Sequence, residues 1–237
     1  MMKHMALAAA VAGAVIGAAQ ADGLRPAAME RLAPGAVRPQ GWLAKQMEMQ
    51  RDGLTGHAEE LYDDIGKSDW ITRGKRGGQF AWERGPYYAK GLLSLAFALD
   101  DAELKARAKK WVDAYIASQR ENGDFGPVDR SWWAKMIALW TLRDWCEATG
   151  DPRVVPFLER YFAFQRAAFE KGDSLSKDSC WAIARGGTKS TFSCGCAARR
   201  ASRSGRTSRA AWQGCPPTGP RSTTAAARAI PATACTS

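Results

Sequence analysis

The chain has 237 residues, with 34 Lys/Arg against 24 Asp/Glu, a formal net charge of +10 and 46% hydrophobic residues. Such an excess would ordinarily point to nucleic acid or an anionic surface. Residues 188–237, however, hold eight Lys/Arg and no acid, which leaves 26 basic against 24 acidic residues before them. The charge therefore makes no case for nucleic-acid binding by the main body.

The N-terminus comes first in chain order. Lys3 and His4 precede an apolar run from Met5 to Ala18 and an Ala19-Gln20-Ala21 end. That is the form of a secretory signal peptide over residues 1–21, cut before Asp22, and too short to span a bilayer. It implies a periplasmic or secreted protein with no membrane association after cleavage. Arg38-Pro39-Gln40-Gly41-Trp42-Leu43 then leads into a helix through about Arg51. Residues 52–81, rich in Gly and Asp, read as irregular, with His57 in a loop.

Four helical patterns follow, over about Tyr87–Leu99, Ala102–Gln119, Ser131–Thr149 and Pro152–Lys171. The second carries one apolar stripe, Leu104, Trp111, Val112, Tyr115 and Ile116. The third is apolar nearly all round, from Trp132 to Trp145. The fourth starts with a proline in its first turn and carries Val154, Val155, Leu158, Tyr161 and Phe162. A fifth begins near Lys177 and reaches Arg185. No strand alternation is evident. Cys146 and Cys180 fall in helical patterns, as small core residues. Cys194, Cys196 and Cys215 have neither the spacing nor the nearby His of a zinc site.

The fold class expected is all-α. Tight links at Leu99-Asp100-Asp101 and Gly150-Asp151 join antiparallel hairpins, and the longer connections gather at the opposite end. Striped and all-round apolar helices alternate, as outer and inner layers do in an (α/α)₆ toroid. The chain holds two and a half to three of its six hairpins, over residues 22–187. Inner helices without ring neighbours would leave the Trp132–Trp145 surface uncovered, with poor solubility.

The long connections are rich in groups that bind sugars: Trp82, Glu83, Arg84 and Tyr87 before one inner helix, and Asp124, Asp129, Trp132 and Trp133 before the next. Aromatic faces stack on sugar C–H surfaces, while carboxylates and Arg hydrogen-bond hydroxyls. Glycosidic cleavage further requires a proton donor and a base or nucleophile about the bond. The competing roles are helix capping for the three carboxylates, core packing for the Trp pair and a surface hydrogen bond for His57.

Arg38-Pro39-x-Gly41-Trp42-Leu43, Gly53-Leu54-Thr55-Gly56-His57, Trp82-Glu83-Arg84-Gly85-Pro86-Tyr87, Gly123-x-Phe125-Gly126-Pro127, Trp132-Trp133 and Glu147-Ala148-Thr149-Gly150-Asp151 resemble, in order, the N-terminal part of glycoside hydrolase family 127. The resemblance covers roughly residues 36–187. It implies an (α/α)₆ barrel and an exo-acting β-L-arabinofuranosidase-like enzyme acting on arabinose-containing or related plant glycans. It also implies a glutamate acid/base and a cysteine nucleophile at a zinc site. Those residues lie downstream of the matched region, so neither Cys146 nor Cys180 takes the role, and no catalytic residue, metal ligand or cofactor is assigned in this chain.

Beyond Gly187 the composition changes abruptly: no Asp, Glu or Leu, and four of the six Cys (Cys194, Cys196, Cys215, Cys235). Such a segment buries too little surface to order itself and reads as a disordered basic tail. Read one base earlier, its codons permit D-E-I-Y-F-L-V-W-L-R-R-A-T-G-E-P-F, close to the family's continuation. The tail is therefore expected to be an out-of-frame translation, and the chain an inactive fragment. The other functional classes left open are a non-catalytic glycan-binding helical protein and another toroid enzyme, a polysaccharide lyase or an epimerase.

Overall fold

The structure is a computed structural model, and it describes residues 31–128 and 132–172. These form an all-helical assembly with no strand among them. The stretch expected to be a signal peptide, Asp129, the fifth expected helix, Cys180 and the segment after Gly187 lie outside the described residues. No helix among the described residues is long and apolar enough to cross a membrane.

Helix α1 spans Gly41–Asp52 and buries none of its residues. Contrary to the sequence expectation, residues 52–81 are largely helical. They form α2 (Leu54–Leu61), α3 (Asp63–Gly66), α4 (Asp69–Thr72) and a 3₁₀ turn at Gly78–Phe80. Each piece is shorter than the window in which apolar periodicity becomes readable. Side chains set their ends instead: Ser68 Oγ accepts from the Trp70 backbone N–H at the start of α4. His57 accordingly stands on α2 and not in a loop.

Four long helices make up the rest: α5 (Arg84–Leu99), α6 (Ala102–Ala117), α7 (Trp132–Thr149) and α8 (Val154–Glu170). Asp100 closes α5 in the left-handed region at φ 58°, and Asp101 caps α6 by accepting from the Leu104 N–H at 2.9 Å. Helix α8 begins two residues later than its proline suggested. The Asp151 carboxylate accepts from the Arg153 N–H in a turn before the helix, and Pro156 falls within the first turn, where its missing N–H costs nothing. Its buried stripe is Val154, Phe157, Leu158, Tyr161 and Gln165, while Val155 faces outward.

Side-chain pairs give the helix directions. Phe97, late in α5, receives the Lys105 ammonium of early α6, and Tyr88, early in α5, meets Trp111 of later α6. The α5/α6 hairpin is thus antiparallel. Trp132 at the start of α7 packs on Phe164 and Phe169 near the end of α8, so α7/α8 is antiparallel as well. Helices α5 and α7 run parallel, with Tyr87 beside Trp133 near their starts and Phe97 against Trp145 near their ends.

The expected bare Trp132–Trp145 surface is not found. Trp132, Met136, Ile137, Leu139, Leu142 and Trp145 are all buried. Helix α5 packs along α7, the aromatic end of α8 covers Trp132, and the two charges that α7 buries, Lys135 and Asp144, are both paired. Cys146 is half-buried against the same core, in keeping with a small core residue.

Candidate functional site

Trp70 organises the approaches to both α5 and α7. Its indole is fully buried, and Nε1 donates to the carbonyls of Ala81 (2.9 Å) and Trp82 (3.0 Å). Ser68 Oγ donates to the Phe80 carbonyl at 2.9 Å, so three consecutive carbonyls before α5 are held in place. The same indole packs against the segment before α7. Gly126, at φ +70°, lies so close that an added Cβ would stand 2.4 Å from the ring. Only glycine meets both demands. The segment is held further by Arg120, which donates to the Gly126 carbonyl at 2.8 Å.

These anchors bring part of the expected set together. Tyr87 and Trp133 face each other with centroids 6.4 Å apart and planes tilted by 52°, and Tyr87 remains 42% exposed. Trp82, equally exposed, precedes them on the chain. Glu83 occupies the capping position of α5 but makes no capping hydrogen bond with its side chain. Arg84 opens α5 one turn before Tyr87, on the same face. Its Nη1 lies 2.7 Å from Asp64 Oδ2, and its guanidinium sits 5.2 Å from the Tyr62 ring centre. Among the described residues the result is an aromatic mouth at the shared N-terminal end of α5 and α7, with Tyr87 and Trp82 exposed and Trp133 half-buried, edged by one cation and two carboxylates.

Other candidates are engaged elsewhere. Asp124 is buried, with Oδ1 taken by Lys135 Nζ at 2.8 Å and Oδ2 by Arg120. Its carboxylate thereby fastens the loop before α7 onto the helix itself. Trp132 is 5% exposed and packed on Phe164 and Phe169. His57 is exposed on α2, where Nδ1 pairs with Glu60 at 3.2 Å. Asp129 lies outside the described residues. In the core around Phe125, burial pushes the Tyr115 and Tyr161 hydroxyls well above the ordinary phenol range, so both rings stay neutral packing groups.

Sequence reasoning passed over Tyr62, Asp64, Trp70 and Lys135. Asp64 and Tyr62 belong to the short helical pieces that periodicity does not resolve, and a lysine in an apolar helix ordinarily points to solvent. No local pattern signals the pairing of Asp124 with Lys135, which only the folded chain makes visible.

Among the described residues no three His, Cys, Asp or Glu side chains converge in a way that could hold a metal ion. No protein-family model, no curated protein and no solved structure matches the chain.

Proposed function

We propose that residues 36–187 are the N-terminal portion of an exported α/α-toroid glycoside hydrolase of the β-L-arabinofuranosidase kind, and that this chain binds a neutral sugar at its aromatic mouth without hydrolysing it. The observation that carries the reading is the Tyr87–Trp133 pair, in which Tyr87 is exposed and Trp133 half-buried, with Trp82, Glu83 and Arg84 in the segment leading to Tyr87. An exposed tyrosine ring held at a fixed tilt to a half-buried indole offers an apolar face to sugar C–H groups, and the flanking charged groups offer donors and acceptors to hydroxyls. Parallel α5 and α7, each backed by an antiparallel partner, support the toroid arrangement. In that arrangement the N-terminal ends of inner helices face the substrate. No pair of carboxyl groups near the mouth is assigned to cleavage, and the resemblance puts the acid/base and nucleophile downstream of the matched region.

The test uses the 237-residue protein. Titration with methyl β-L-arabinofuranoside is expected to quench tryptophan fluorescence saturably, and a chromogenic β-L-arabinofuranoside is expected to stay intact. Turnover of the chromogenic substrate would refute the inactivity, and a flat titration would refute the binding site. Resequencing the gene across codon 187 tests the shifted frame. An intact frame with no family-like coding downstream would remove that part of the proposal.

A further inference from the structure

The mouth contains an ion pair with an unusual division of exposure. Asp64 is 7% exposed, whereas the Arg84 side chain it faces is 48% exposed. Asp64 Oδ2 stands 2.7 Å from Arg84 Nη1, yet it makes no aligned hydrogen bond. The cation is therefore in the open and its counter-charge lies behind it, held on α3 against α5. The Tyr62 ring on the guanidinium fixes the cation further.

We infer that the Asp64–Arg84 pair sets the selectivity of the mouth, presenting the guanidinium as a donor to sugar hydroxyls while cancelling the charge that would recruit a sugar carboxylate. The inference rests on the proposed sugar-binding reading of this site. A guanidinium has five N–H donors, and Asp64 engages only one edge of it. The others remain in a fixed plane one turn from Tyr87, suited to vicinal hydroxyls. A free arginine in such a place would favour a uronate, because carboxylates take bidentate guanidinium contacts. Here an incoming carboxylate would meet Asp64 behind the cation and Glu83 next to it in the chain, and like charges at close range reject a ligand as effectively as good contacts recruit one. Neutral pentoses and hexoses bind, and uronic acids do not.

The experiment compares methyl β-L-arabinofuranoside with galacturonate by fluorescence titration, in the full chain and three variants whose folding is checked by circular dichroism. Wild type is expected to bind the neutral sugar and not the uronate. D64N exposes the arginine charge and is expected to gain uronate binding by about tenfold or more, the scale of one charge-assisted hydrogen bond. D64N/R84Q is expected to lose that gain. R84Q alone is expected to weaken neutral-sugar binding severalfold, because the donors go with the charge. A folded D64N that still rejects galacturonate overturns the inference while leaving the sugar site intact. If D64N does not fold, R84Q decides: unchanged affinity for the neutral sugar overturns the inference. Wild type that binds neither sugar overturns the site reading and this inference together.

Discussion

Helices α5 and α7 carry an aromatic pair at each end, and the two pairs have opposite fates. At the N-terminal end, Tyr87 and Trp133 lie 6.4 Å apart and tilted, with Tyr87 open to solvent. At the C-terminal end, Phe97 and Trp145 meet edge to face at 5.9 Å, and Trp145 is 7% exposed. The surroundings decide which pair is free. The C-terminal pair is closed by the strand of chain before α1. Gly35 presses on the Phe97 carbonyl, where an added Cβ would lie 2.9 Å away, and Arg31 reaches Asp144 (2.8 Å) and Glu147 (3.5 Å). Asp144 also holds Lys90 at 2.7 Å and Arg143 at 3.1 Å, making a network of two buried carboxylates and three part-exposed cations. At the N-terminal end the chain arrives from loops hung on Trp70, and among the described residues Tyr87 stays exposed while Trp133 is half-buried. One end is built for cohesion and the other for contact.

Breaking the closed end should have the largest effect. Trp145→Ala removes a buried indole and its Nε1 hydrogen bond to Asp151 (3.1 Å), and is expected to cost about 4 kcal/mol in a urea titration. Asp144→Ala leaves Lys90, Arg31 and Arg143 facing one another without their shared partner. Because Arg31 and Lys90 keep some solvent, the expected loss is nearer the lower bound for a broken buried pair, about 3 kcal/mol.

The same network has an acid dependence. Burial alone would raise the Asp144 carboxyl, but the hydrogen bond from Lys90 and the charges of Arg143 and Arg31 outweigh it and hold the group below the ordinary carboxylate range. A carboxyl depressed in the folded state takes up its proton more readily when unfolded. Its contribution is thus complete above an unfolded value of about 3.9, and is lost as pH falls through the lower folded value. Stability measured from pH 6 to pH 2 should fall less steeply in Asp144→Ala than in wild type, and parallel curves would contradict this.

The open end should respond the other way round. Tyr87→Ala is expected to change stability by less than about 1 kcal/mol while weakening sugar binding about fivefold, the worth of one stacked ring. A large loss of stability would make Tyr87 a core residue and remove the contrast between the ends. His57→Ala should be the mildest, leaving both the urea midpoint and sugar binding unchanged, since the ring is exposed and pairs with the exposed Glu60.

The long helices were legible because burial imposes a 3.6-residue period over several turns, and Leu104, Trp111, Val112 and Tyr115 keep it without interruption. The pieces between residues 52 and 81 were not, since α3 and α4 are one turn each and owe their form to Ser68, Asp69 and Trp70. The candidate site was legible by residue type and only partly by role. Tyr87 and Arg84 lie one turn apart at the start of α5 with Trp82 just before them, but Asp124 belongs to a buried ion-pair triad, and Trp132 differs from its neighbour Trp133 by facing α8 instead of α5. Adjacent residues on a helix point about 100° apart, so a Trp-Trp dipeptide is divided between two surroundings by rotation alone.

The amino-acid sequence by itself determined the helical class, the hairpin links at Asp100-Asp101 and Gly150-Asp151, and the abrupt change of composition after Gly187, because periodicity, capping and composition are local properties of the chain. Which aromatics are open and which are closed, which carboxylates are spent on cations, and that α5 and α7 run side by side in the same direction were decided only by tertiary structure. Those outcomes depend on partners 11 to 113 residues apart, from Asp124–Lys135 to Arg31–Asp144, and no local pattern encodes a contact over such distances.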